Sequence, residues 1–248
     1  MVNISPLYDD VSWPADEGVL GVVGVAPWAT LDFCQQLYGL VQADKEWQYP
    51  RLIIDNNSKI PSRGRHLQLG ERDPSPWIHA TITELAAAGA TVAVVPCNTA
   101  HLLWSRWSKD AAIPVINIID ATLEHIAPQG KRVVVLGSQM LYQSRLYQDA
   151  LTQQHAEIVN VAASTQQLVT RCINEIKATK SVSELSMRQL ADAVNSWKQQ
   201  GATHIILACT ELSLLKHSAI WQEMTLIDSS EALARAALRA ISFRRLRN

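Results

Sequence analysis

The sequence predicts an α/β fold made of two similar lobes, each with a mostly parallel sheet. Two observations carry this. Strand-length apolar runs rich in Val and Ile alternate with helix-period segments along the whole chain, the order that builds parallel sheets. The chain also repeats itself: Gly89-Ala90-Thr91, five residues and Cys97 recur as Gly201-Ala202-Thr203, five residues and Cys209. The first apolar runs correspond too, since Val22-Val23-Gly24 is matched by Val135-Leu136-Gly137. Equivalent spacings of 112 and 113 residues indicate a duplicated lobe.

The predicted strands are 19–24, 51–55, 91–96, 115–119, 132–137, 157–161 and 204–208. They lack polar alternation, as strands covered on both faces should. Helices are expected at 76–88, 142–154 and 183–199, where apolar residues recur at helical spacing. Gly89 and Gly201 each follow such a segment and suit a helix C-terminus.

The chain has 248 residues, 48% hydrophobic and 18% charged, enough for a well-buried interior in one large or two modest domains. A formal charge of −1 gives no general pull toward nucleic acid or an anionic membrane. The N-terminal stretch carries Asp9, Asp10, Asp16 and Glu17, the opposite of a basic-then-apolar signal peptide. The apolar runs are far shorter than the roughly 20 residues of a membrane span. A cytoplasmic protein is expected, with no nucleic-acid or membrane partner. No Gly-rich phosphate loop is present, and the Gly18, Gly21 and Gly24 spacing lacks the dinucleotide-binding arrangement.

Of four cysteines, Cys34, Cys97, Cys172 and Cys209, none form a CxxC pair, so a zinc knuckle or thioredoxin motif is not indicated. Cys34 and Cys172 read as small core residues. Cys97 and Cys209 differ because packing alone gives no reason for cysteine at both equivalent positions. Both end a predicted strand, the side of parallel sheets where ligands bind. Asn98, Thr99 and Thr210 follow as helix-capping types. A helix N-terminus there would lower the thiol pKa and could hold a carboxylate. Two thiols facing one carbon from opposite sides suit stereoinversion: one thiolate removes a proton and the other thiol returns one to the far face. Such a site needs no cofactor in principle, but must stabilise a poor carbanion.

Val95-Pro96-Cys97-Asn98-Thr99-Ala100-His101 and Ala208-Cys209-Thr210-Glu211-Leu212 resemble the two signature segments of the aspartate/glutamate racemase family. Pro27-Trp28-Ala29-Thr30 and the stretch from Asn56 to Arg63 extend the resemblance over most of the chain. Glu211 points to the aspartate racemases, because glutamate racemases typically carry histidine there. The resemblance implies two pseudo-symmetric three-layer lobes with the active site in the cleft between them. It places residues 1–112 with 223–248 in the first lobe and 113–222 in the second. It also implies no pyridoxal phosphate, no metal, a small amino-acid substrate and a homodimer. Cys97 becomes the base for the D-substrate and Cys209 the base for the L-substrate. Asn98, Thr99 and Thr210 match positions that hold the α-carboxylate or amino group. Pro27 belongs to the first substrate loop. Arg63 and Lys177 match the cations for a side-chain carboxylate, a role that suits a bidentate guanidinium. His101 and Glu211 are expected to support the thiols. The ordinary alternatives are a solvated Arg63 beside Arg51, Arg65 and Arg72, an exposed helical Lys177, and simple capping roles for Asn98, Thr99, Thr210 and Glu211.

Two segments depart from the family pattern. Gly24-Val25-Ala26-Pro27 is one residue shorter than the usual Gly-Gly-Met-Gly-Pro and precedes a bulky Trp28. Leu141 stands where a threonine is usual, so its carboxylate contact must come from elsewhere, with Ser138 the candidate. Aspartate racemisation is the leading expectation, followed by glutamate or a broad amino-acid range. Maleate isomerase-like or hydantoin racemase-like chemistry comes next, and a non-catalytic two-lobed binding protein is the alternative of another class. Near the end, Asp228 and Glu231 have capping-box spacing, and Arg244, Arg245 and Arg247 suit the negative pole of a closing helix.

Overall fold

The computed structural model describes residues 14–126 and 130–247; Asp9 and Asp10 lie outside them. The first half runs β1 (Leu20–Val23), α1 (Pro27–Gly39), β2 (Leu52–Asp55), α2 (Arg63–Leu69), α3 (Ser75–Ala87), β3 (Val92–Val94), α4 (Trp104–Trp107), β4 (Val115–Ile116) and α5 (Ile118–Leu123). The second runs β5 (Arg132–Gly137), α6 (Gln139–Ser144), α7 (Leu146–Gln153), β6 (Glu157–Ile158), α8 (Ala163–Thr179), α9 (Glu184–Gln199), β7 (His204–Ala208), β8 (Thr225–Asp228) and α10 (Ser229–Ala240). Two four-stranded sheets result, ordered β2-β1-β3-β4 and β6-β5-β7-β8, with every ladder parallel. The two orders are the same once the halves are aligned, which is the duplication made visible.

The repeated triplet has a structural cause. Gly89 and Gly201 both take positive φ, 102° and 81°, a turn that L-residues resist. The threonine that follows then pins the start of the neighbouring strand. Thr91 Oγ1 accepts from Val19 N at 2.9 Å and donates to its carbonyl at 3.2 Å. Thr203 Oγ1 does the same with Arg132 N and O, at 3.3 Å each.

Several elements differ from expectation. The central strands β1, β3 and β5 are buried, but β2, β4 and β6 are partly exposed because they are edges or too short. Only Val115–Ile116 of the run at 115–119 is strand: Asn117 accepts from Ile119 N at 2.8 Å and turns the chain into α5 at Ile118. The helix expected at 142–154 breaks at Arg145, whose φ is 59°. Thr225–Asp228, absent from the predicted strands, closes the second sheet. β4 pairs with β3 and β8 with β7, so the sheets divide the chain slightly later than 112/113 and 222/223. The last residues return to the first lobe, where Gln42 N bonds Arg245 O and Arg247 N bonds Leu40 O.

At α10, Asp228 caps by accepting from Ser230 N at 2.9 Å, while Glu231 turns instead to Arg235 and Lys216. The helix ends at Ala240, and Arg244 pairs with Asp16, so Arg239 rather than the terminal arginines occupies its last turn. One core joins the lobes: Leu20, Val22 and Val94 of the first sheet pack in the same cluster as Val133, Val135 and Ile206 of the second, with α10 between. Among the described residues no helix is long and apolar enough to cross a membrane.

Candidate active site

In each sheet the strand order reverses between two central strands, β1 and β3 or β5 and β7. Ligand crevices form at the carboxyl ends of such strands. Here the two crevices merge into one cleft of about 330 Å3. It brings together Cys97, Asn98 and Thr99 after β3, Ser138 after β5, Cys209, Thr210 and Glu211 after β7, Arg63 from α2 and Lys177 from α8. Pro27 lines a neighbouring cavity instead, and His101 lies behind the cleft wall.

The segments after the cysteines are short 3-10 turns, Asn98–Leu103 and Thr210–Leu215, and the cysteines themselves take the N-cap positions. The expected side-chain caps from Asn98, Thr99 and Thr210 do not form. Ala100 N bonds Cys97 O and Leu212 N bonds Cys209 O, which leaves the preceding amides as the leading donors of each turn.

The thiols have unlike surroundings. Cys209 Sγ donates to Glu211 Oε2 at 3.0 Å. Thr210 Oγ1 donates to the same oxygen at 3.4 Å, and Lys177 Nζ lies 3.8 Å from the other. Burial first, then the Glu211 charge and its hydrogen bond, hold the Cys209 thiol well above its ordinary range, while Lys177 works the other way. Desolvation and a carboxylate thus raise this thiol, contrary to the expected lowering at this position. Cys97 is half-buried and free. The residue corresponding to Glu211 is Thr99, whose Oγ1 lies 3.1 Å from Ser138 Oγ across the cleft.

Asn98 is held from behind. Its Oδ1 accepts from Tyr147 OH at 2.7 Å, and its Nδ2 donates to Ser229 Oγ at 2.8 Å. Tyr147 OH also lies 3.2 Å from Thr122 Oγ1, and Ser229 Oγ donates to Leu207 O at 2.8 Å. This buried chain crosses between the lobes. It leaves one Asn98 amide hydrogen for a ligand.

Arg63 begins α2, where Ser62 caps the helix by accepting from Arg65 N. One Arg63 nitrogen donates to Pro61 O at 3.2 Å, while its buried Nε has no protein partner. A buried, unpaired guanidinium N–H is costly unless an acceptor arrives, so this group invites an anion. Lys177 is more than half exposed and engaged with Glu211. Ser138 caps α6 through Leu141 N at 3.3 Å. Leu141 itself is buried and turned over Gly137, so it leaves the cleft altogether. His101 Nδ1 meets the Cys97 carbonyl at 2.9 Å rather than the thiol. The ring stacks on Trp104 and meets the edge of Trp107. Burial lowers its pKa to about 4, so it is a neutral packing group near pH 7 and supplies no charge to Cys97.

Sequence reasoning missed Thr170 and Asn174, which reach the cleft from α8 beside Lys177. Their helical spacing from Lys177 was the available signal. It also missed Tyr147 and Ser229, for which no local signal exists. Among the described residues no three His, Cys, Asp or Glu side chains cluster as metal ligands.

A duplicated α/β architecture with equivalent cysteines at one interlobe cleft defines a narrow class of protein. The chain belongs to the Asp/Glu/hydantoin racemase family, whose model matches residues 21–237. A broad-specificity amino-acid racemase of Bacillus subtilis is 29% identical over 209 residues, covering 84% of this chain and 88% of that one. The Picrophilus torridus aspartate racemase superposes with a TM-score of 0.82 at 24% identity, covering 93% and 96% of the two chains. A Bacillus anthracis glutamate racemase gives 0.61 at 20% identity, covering 91% and 83%.

Proposed function

We propose that this chain is a cofactor-independent racemase that interconverts L- and D-aspartate by proton transfer between Cys97 and Cys209. The observation that carries the reading is that two equivalent cysteines from opposite lobes line one cleft. In one direction the Cys97 thiolate takes the α-proton as the Cα–H bond breaks, and the Cys209 thiol gives its proton to the opposite face. The Cys209 proton is held in readiness by burial and by Glu211. In the other direction Cys209 must first lose that proton, and Glu211 is the acceptor already in contact. The leading amides of the two turns and the spare Asn98 hydrogen supply fixed dipoles for the substrate carboxylate and the developing carbanion. Arg63 takes the second carboxylate through its unpartnered Nε. Exchange of protons with solvent resets the pair.

A second reading, a wider amino-acid range, is supported by the name of the Bacillus subtilis relative. It gains weight because Lys177 is engaged with Glu211, which leaves acid selection chiefly to Arg63.

The test is incubation of L-aspartate in deuterium oxide without added cofactor, following α-deuterium and the D-enantiomer. Racemisation should vanish in Cys97→Ser and in Cys209→Ser. Arg63→Ala should raise KM for aspartate about ten- to hundred-fold, the range for a charged hydrogen bond. Full activity in either cysteine variant would refute the two-base mechanism. An unchanged KM in Arg63→Ala would refute Arg63 as the partner of the second carboxylate, and no exchange into aspartate by the wild type would refute the aspartate assignment.

A further inference from the structure

Beside the cleft lies a second cavity of about 290 Å3, and Ala26, Lys177, Thr210 and Glu211 line both. Its walls come from both lobes. Val25 and Ala29 form its first-lobe side, Ile176 of α8 its second-lobe side, and all three are buried. Trp28 and Leu214 also line it, with 52% and 46% of their surface exposed. Both are large apolar groups with surface still to cover. Lys180 Nζ lies over the Trp28 ring, 3.3 Å from its centroid. Val25, Ala26 and Pro27 of the shortened first loop line this cavity, in which the aspartate reading places no substrate group.

We infer that this cavity is a side-chain subsite admitting amino acids with extended, uncharged apolar side chains, alongside the acidic substrate met by Arg63. The inference rests on the racemase reading. A substrate whose α-carbon lies between the thiols can direct its side chain past the shared wall of Thr210 and Glu211 into the cavity. The charged groups there already have partners, Glu211 in Lys177 and Asp32 in Gln36. A side-chain carboxylate would meet those of Asp32 and Glu211, and Gln36 already occupies one Asp32 oxygen at 2.6 Å. An ammonium would have to displace Lys177 from Glu211 and Gln36 from Asp32. A chain of methylenes meets neither penalty and covers the Trp28 and Leu214 faces.

The test compares kcat/KM for α-proton exchange of L-norleucine with that of L-alanine, in the wild type and in Trp28→Ala and Leu214→Glu. The ratio is internal, so a loss of folded protein cancels. Norleucine adds three methylenes, each about four-fold when fully buried, or about 60-fold together; at least about ten-fold is expected in a half-open cavity. Both variants should bring the ratio down several-fold while aspartate exchange persists. Exchange of aspartate with no preference for norleucine would overturn the subsite and leave the racemase standing. A strong preference that both variants leave intact would overturn the assignment of the cavity. No exchange into any amino acid by folded protein would overturn the racemase reading and the subsite with it.

Discussion

Tyr147 offers a sharp test of how the cleft is held in place. It is fully buried, and its hydroxyl donates to Asn98 Oδ1 at 2.7 Å, one residue from Cys97. Tyr147→Phe deletes that donor while preserving the ring. Asn98 Oδ1 then loses its partner in a buried site, which costs about 1–3 kcal/mol. For a chain of this size each kcal/mol lowers Tm by about 2–4 °C, so a fall of about 2–12 °C is expected. Thermal melts and urea midpoints measure this directly. The attribution needs a double-mutant cycle with Asn98→Ala, because Tyr147 OH also meets Thr122 Oγ1. Coupling of at least about 0.5 kcal/mol between the two changes is expected for groups in direct contact. A cost below that figure for Tyr147→Phe, or strictly additive variants, would refute the idea that this chain of hydrogen bonds fixes the Cys97 side of the cleft.

Two further outcomes concern titration. His101 is buried with its pKa lowered to about 4 by loss of solvation, so the unfolded chain binds the proton first as pH falls. Stability should therefore drop between about pH 6.5 and 4, by on the order of 3 kcal/mol. The slope should flatten in His101→Gln, measured by urea midpoints; an equal slope in the variant would place the acid sensitivity elsewhere. For Cys209, Glu211→Gln removes the carboxylate that, after burial, holds the thiol up. The pH midpoint for iodoacetamide alkylation of Cys209 in a Cys97→Ser background should move down, and an unmoved midpoint would exclude Glu211 as a control on that thiol.

The duplication was legible because its causes are local. A glycine with positive φ and a threonine that clasps the next strand act within a few residues, and the same triplet therefore marks both copies. The cysteines were legible for the same reason, each standing where a strand hands over to a turn. Even Glu211 lies within two residues of the thiol it touches, although its effect on that thiol depends on burial, which no short segment determines.

What only the tertiary structure decided involves partners distant in the chain. The apolar run from Val115 to Ile119 could serve as strand or buried helix, and the Asn117 cap with the surrounding core ended the strand at Ile116 and began a helix at Ile118. Leu141 is a departure in the sequence but a core residue in the fold, turned onto Gly137. Asn98 reads as a capping residue until Tyr147 and Ser229 arrive from 49 and 131 residues away. Arg63 is one of several loop arginines in the sequence, and folding singles it out by burying its Nε without a partner. Turn chemistry and strand ends are properties of neighbouring residues and survive in the sequence. Desolvation, orphaned donors and the apolar cavity under Trp28 are properties of the enclosed space, and they exist only once the two lobes close on each other.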